Sequence, residues 1–140
     1  MIFESPTLTI SANGTIPDVP FLDIKEAILG KKYDLSISFV GPKNAQRLNK
    51  EYRNKEYIPN TLSFPLTETS GELFICRTVA HREWHKFCKS YDDYIIFLTI
   101  HSMLHLKGFD HGSTMESKET FFMNRFAHTH NHEATNIHRH

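Results

Sequence analysis

The stretch "YDDYIIFLTIHSMLHLKGFDH", Tyr91 to His111, decides how this chain folds. From Tyr94 to Leu106 it is apolar at nearly every position, so the spacing predicts a helix buried on all sides rather than an amphipathic surface helix. Ser90 stands where an N-cap belongs, and Asp92 and Asp93 fall in the first turn, where the helix dipole favours negative charge. Gly108 is the expected stop. The run is too short to span a bilayer and it contains two histidines. The expected helix is therefore the central element of a water-soluble core.

Its histidines carry the chemistry. On a helix, residues four apart share a face, so His101 and His105 can reach one ion together. Once Gly108 breaks the helix, the chain can turn back and bring His111 in from the side. Three neutral imidazoles leave a fourth position open, as in catalytic rather than structural zinc sites. Water bound at such a position has its pKa lowered towards about 7. The competing reading is three core histidines, each satisfied separately, and an unpaired imidazole there would cost roughly 1–3 kcal/mol. Zincin proteases place a general-base glutamate directly after the first histidine, but here that position is Ser102. Protease chemistry is thereby disfavoured.

Outward from this stretch the pattern is mixed. "TLTIS" alternates as a strand and ends at the turn pair Asn13-Gly14. "DVPFLDIKEAILGKK" reads as a helix capped by Asp18, with Phe21, Leu22, Ile24 and Ile28 on one face and Gly30 near its end. Leu35, Ile37 and Phe39 alternate in a strand. Pro42 opens a helix whose apolar face is expected at Ala45, Leu48 and Tyr52. "TLSFPL" and "GELFIC" are two strands about a polar turn, "RTVAHREWHKF" is helical, and a last helix spans about Met115 to Phe126. The class is α+β: a small mixed sheet packed against helices, in one domain over residues 1–127. Residues 128–140 hold five of the ten histidines at irregular spacing, with little apolar content, and are expected to be a disordered tail.

Sixteen Lys and Arg balance sixteen Asp and Glu, so any affinity for nucleic acid must come from local clusters. One such cluster is Lys43, Arg47 and Lys50 on a single helix face, leading to Arg53 and Lys55. The alternative for any such stripe is an ordinary solvated face. "RTVAHREWHK" adds Arg77, Arg82 and Lys86, while Tyr52, Tyr57 and Phe64 could either stack bases or pack in the core. His81 and His85 form a second pair four apart, but their charged neighbours favour a solvent face. Cys76 and Cys88 make neither a CxxC pair nor a disulfide framework, which suits a reduced cytoplasmic chain, and "MIFESPTLTI" does not read as a signal peptide.

"HSMLHLKGFDH" closely resembles the H-G-x-L-H-L-x-G-Y-D-H signature of the YbeY family, bacterial metal-dependent endoribonucleases of ribosomal RNA maturation. A second match lies upstream: "LNKEYRNKEYIPNTLSFP" resembles that family's L-N-x-x-Y-R-x-K-D-x-P-T-D-V-L-S-F-P. "GELFIC" is similar to its G-D-I-x-I strand, and Met115 and Glu119 stand like the M-x-x-x-E of its last helix. Ser102 replaces the usual glycine, Phe109 the tyrosine, Glu72 the aspartate, and Ile58 to Asn60 the P-T-D.

The resemblance implies a zincin-like fold in which the central helix carries two of three zinc ligands, His101, His105 and His111. It implies one zinc per chain, although imidazole ligands also suit nickel or another divalent metal. Catalysis is expected to rest on His105 and on Arg53, the latter as holder of the phosphate. Asp110 is expected either to orient an imidazole or only to shape the turn. Glu119 is expected to cap and pair on its own helix rather than serve the site. The implied activity is single-strand-specific cleavage of RNA in maturation of the 3′ end of 16S ribosomal RNA and in ribosome quality control. The implied partners are ribosomal RNA precursor, the small ribosomal subunit and assembly factors, with no role for DNA or membrane. The alternatives are a metalloprotease-like hydrolase and a non-catalytic ribosome assembly factor with a structural metal.

Overall fold

A computed structural model describes residues 1–127. The histidine-rich tail expected from residue 128 onwards lies outside the described residues. The elements run β1 (Ile2–Ser5), β2 (Leu8–Ala12), α1 (Phe21–Ile28), β3 (Asp34–Val40), α2 (Pro42–Arg53), β4 (Thr61–Thr67), β5 (Ser70–Cys76), α3 (Arg77–Phe87), α4 (Tyr91–Leu106) and α5 (Ser113–Phe126). One five-stranded sheet forms in the order β1-β2-β3-β5-β4. Its centre is parallel, β2 with β3 and β3 with β5, because α1 and α2 act as crossovers. Both edges are antiparallel hairpin partners, β1 on β2 and β4 on β5. The expected α+β class with a mixed sheet is what forms.

Strand alternation builds the core. Leu8 and Ile10 on β2, Leu35 and Ile37 on β3, and Leu73 and Ile75 on β5 are all buried, and they join one cluster with Ile24 and Ile28 of α1 and the apolar length of α4. The long helix is buried from Asp93 to Leu104 apart from His101, as its composition requires. Ser90 caps it: the Asp93 amide donates to the Ser90 hydroxyl at 3.1 Å. On the opposite face of the sheet, α2 covers a small cluster of Ala45, Cys76 and Val79.

Several local expectations need correction. The strand β1 gave no alternation signal, because it is a four-residue edge strand with little burial. Asp18 does not cap α1; the helix begins at Phe21 after Pro20, with no side-chain cap. Lys25, not Leu22, completes its buried face. The Lys25 ammonium donates to Thr7 Oγ1 at 2.8 Å and to the Lys31 carbonyl at 2.9 Å, which satisfies a cation that burial would otherwise penalise. Burial still pushes its pKa below the ordinary lysine value. On α2 the buried positions are Ala45 and Asn49, whereas Tyr52 stands out in solvent. The Asn49 amide donates to the Tyr57 carbonyl at 3.0 Å and so ties the following loop back onto the helix.

Gly71 marks a close approach between β5, the loop carrying Tyr33 and the end of α4. A Cβ there would lie 2.5 Å from Tyr33 Oη and 3.0 Å from Leu106 Cδ2. Gly71→Ala should therefore cost about 1–3 kcal/mol in urea unfolding, the usual range for overpacking a filled core. Tyr33→Phe should recover part of that loss. Among the described residues the buried Tyr33 hydroxyl has no hydrogen-bond partner, so removing it takes away the nearest clash without breaking a bond. A Gly71→Ala protein as stable as the parent would refute this close approach.

Candidate metal centre

The end of α4 shapes the site. The Gly108 amide donates to the His105 carbonyl at 3.0 Å and the Phe109 amide to the Leu104 carbonyl at 3.0 Å. That is a Schellman stop, and Gly108 supplies the positive φ of 106° that it needs. The reversal sends residues 109–111 back over the last turn of the helix.

His111 thereby meets the two helical histidines. Ring centroids are 4.6 Å apart for His101 and His105, 5.3 Å for His101 and His111, and 5.0 Å for His105 and His111. One ligand nitrogen from each ring lies within 4.8 Å of the others, so the three could hold a metal ion. Nε2 of His105 and Nε2 of His101 are 3.2 Å apart. Among the described residues, no fourth His, Cys, Asp or Glu joins the group. His111 is exposed, so the cluster opens to solvent on that side.

Two neighbours prepare these rings as ligands. The Nδ1 of His101 lies 2.6 Å from Oε2 of Glu119, whose side chain is only 3% exposed. A carboxylate can only accept, so the proton sits on Nδ1 and the Nε2 lone pair faces the other imidazoles. Glu119 thus serves the cluster instead of its own helix. It is delivered by α5, which docks through buried Met115 and Met123. At His105, burial and then the proximity of His101 and His111 hold the pKa below the ordinary histidine value, against an opposing hydrogen bond to the Phe109 backbone and the charge of Asp110. A ring kept neutral is a ring ready to ligate. Asp110 is exposed, and its influence on His105 is one of charge.

Ser102, the residue in the protease-base position, is fully buried, and its hydroxyl has no hydrogen-bond partner among the described residues. Its carbonyl accepts from Ser63 Oγ of β4 at 3.3 Å. The next residue, Phe64, points to the other face of the sheet, where its ring meets Tyr52 of α2 edge-on at 5.5 Å. The last turn of α2, with exposed Arg53, and the α4 turn carrying His101 therefore flank the same two residues of edge strand β4.

The remaining basic residues are distributed unevenly. Lys43, Arg47, Lys50 and Lys55 are exposed. Arg47 pairs with Glu51 at 3.4 Å and Lys50 with Glu56 at 4.0 Å, both in solvent, where such pairs are weak. Arg77 is committed to structure, donating to the Thr15 carbonyl at 2.6 Å and to the Tyr91 hydroxyl at 3.2 Å. The ring of His81 stacks on Tyr91 at 4.4 Å, and the second histidine pair forms no metal-type cluster among the described residues.

Glu119→Gln should weaken metal binding by roughly 10- to 100-fold, the usual effect of removing a carboxylate behind a ligand histidine. Competition between the protein and a chromophoric chelator for zinc or cobalt measures it. An unchanged affinity in a folded Glu119→Gln protein would show that the contact is only structural.

The family described as Endoribonuclease YbeY matches residues 19–132. Among curated relatives, the Endoribonuclease YbeY of Mesoplasma florum is 36% identical over 105 residues, which cover 67% of this chain and 62% of that protein. The one from Staphylococcus carnosus is 31% identical over 109 residues, covering 69% of this chain and 71% of its own length. The one from Thiobacillus denitrificans is 33% identical over 110 residues, covering 71% and 75%. Matching to the Mesoplasma florum relative thus spans less than two thirds of its length. In fold, the chain is similar to a Thermotoga maritima protein solved in solution, with a TM-score of 0.56 at 22% identity, over 82% of this chain and 87% of the other.

Proposed function

The chain belongs to the YbeY endoribonuclease family, and from that premise we propose that it is a metal-dependent endoribonuclease acting on single-stranded RNA. The observation that carries this reading is the convergence of three imidazoles at the Gly108 stop, with Glu119 behind one of them. The donor set fits a divalent ion of the zinc class, and zinc is the proposed native metal. His101, His105 and His111 would hold it, and the ion would supply Lewis acidity towards a phosphodiester.

The chain's own residues do the rest. Glu119 keeps the His101 proton on Nδ1, so that Nε2 faces the site. Burial, with His101 and His111 beside it, lowers the His105 pKa and so favours its neutral, ligating form. Arg53 is the proposed phosphate holder: its planar guanidinium can grip two phosphate oxygens and stabilise charge as it develops on them. Its place at the end of α2, across β4 from the turn of His101, supports that role. Ser102, a buried serine, offers no general base of the protease kind. The finer reading is maturation of the 3′ end of 16S ribosomal RNA, in the cytoplasm, with the small ribosomal subunit and its assembly factors as partners. It rests on the family resemblance; among the described residues, no helix is long and apolar enough to cross a membrane.

Metal-loaded protein should cut a single-stranded precursor of the small-subunit ribosomal RNA 3′ end, chelator should stop it, and zinc should restore it. His105→Ala should lose both tight metal and cleavage. Arg53→Ala should keep the metal and lose roughly 100- to 1,000-fold in rate, as when a transition-state hydrogen-bond donor is removed. Cleavage that persists in metal-free protein would overturn the proposal, as would turnover of an unstructured peptide in place of RNA.

A further inference from the structure

The end of α2 and the outer half of β4 form an exposed surface that the metal site does not explain. Tyr52 is 63% exposed and Tyr57 60% exposed, which is unusual for large aromatic side chains. The Tyr52 ring is nevertheless held in place. It meets Phe64 edge-on at 5.5 Å, and Phe64 in turn meets Phe74 edge-on at 5.8 Å. A ring buttressed from one side and bare on the other is a platform.

The charge around it is predominantly positive. Residues 42–57 hold five cations, Lys43, Arg47, Lys50, Arg53 and Lys55, against two carboxylates, Glu51 and Glu56, in a chain whose net charge is zero. Arg53 and Lys55 flank the αL turn at Asn54, next to Tyr52. Rigid aromatic rings interleaved with cations suit a single nucleic-acid strand, whose bases stack while its phosphates meet the charges. A peptide adding to the sheet edge fits less well. The outer half of β4 contains Pro65 and a register shift between Pro65 and Thr67, and both blunt an edge strand as a template for another strand.

We propose that Tyr52 is the stacking platform for a base of single-stranded RNA that crosses edge strand β4 at Ser63 and Phe64, with its phosphates on Arg53 and Lys55. The inference rests on the endoribonuclease reading and adds the track by which RNA reaches the histidines. The geometry supports it because Ser63 and Phe64 are consecutive. Ser63 contacts the α4 turn of His101, and Phe64 contacts Tyr52. A strand lying over that step would have the platform on one side and the imidazoles on the other.

The test uses the full chain with chelator present, so that labelled single-stranded oligoribonucleotide is bound but not cut, and fluorescence anisotropy reads affinity. Tyr52→Leu should bind about tenfold more weakly, the order expected for loss of one base–aromatic stack, with an unchanged salt dependence. Tyr52→Phe should bind like the parent. Lys55→Ala should reduce the salt slope by about one ion. Melting temperatures verify that each variant is folded. Parent and Tyr52→Leu proteins binding equally well, while RNA cleavage by the metal-loaded parent stands, would overturn this inference alone. A parent protein that neither binds nor cuts RNA, or that captures an extended peptide at this surface instead, would overturn it together with the functional reading.

Discussion

A helix packed on every side cannot leave an imidazole unpaired, and this constraint organises the molecule. Along α4 the core demands apolar side chains, and it gets them from Tyr94 to Leu104 except at Thr99, His101 and Ser102. Two histidines one turn apart at the end of such a helix would each lose hydrogen bonds that water had supplied. Glu119 satisfies one ring directly, at 2.6 Å. The Phe109 backbone serves the other. What remains unsatisfied on each ring is a lone pair, and the Schellman stop at Gly108 brings a third imidazole to the same place. The structural need of the helix end and the ligand requirement of a divalent ion thus converge on the same nitrogens.

The rest of the fold holds that helix end still. The parallel centre of the sheet provides the apolar floor, Gly71 lets Leu106 close onto β5, and α5 carries Glu119 in from the far side. Edge strand β4 has a different task. Its successive side chains face opposite layers, so it joins the α4 turn to the α2 end. That arrangement sets a basic and aromatic surface beside an imidazole cluster while keeping the cations out of the core, where their desolvation would be costly.

Much of this was legible in the sequence, for reasons that differ from residue to residue. The central helix could be read because its cap, its acidic first turn and its glycine stop are local signals, and all three form as expected. The histidine spacing could be read because helical periodicity alone places His101 and His105 on one face. What escaped depends on tertiary contacts. Asn49 and Lys25 are polar residues buried against backbone carbonyls, and no hydrophobic period reveals them. Strand β1 is short and exposed, so it lacks a pattern. Glu119 resembles any surface glutamate until α5 is docked. The one hint was its place four residues after Met115, the spacing of a shared helix face, which puts it beside a residue that must be buried.

The chemistry depends on the three histidines holding one ion. The direct measurement is X-ray absorption at the zinc edge on the full chain loaded with one equivalent of zinc, beside the same preparation of His105→Ala. The expected result is a first shell of nitrogen and oxygen donors with about three imidazoles and no sulfur, at one tightly held ion per chain, and loss of that ion in a variant that is still folded. Stoichiometric zinc retained by folded His105→Ala with an unaltered first shell, or a shell containing Cys76 or Cys88 sulfur, would contradict it.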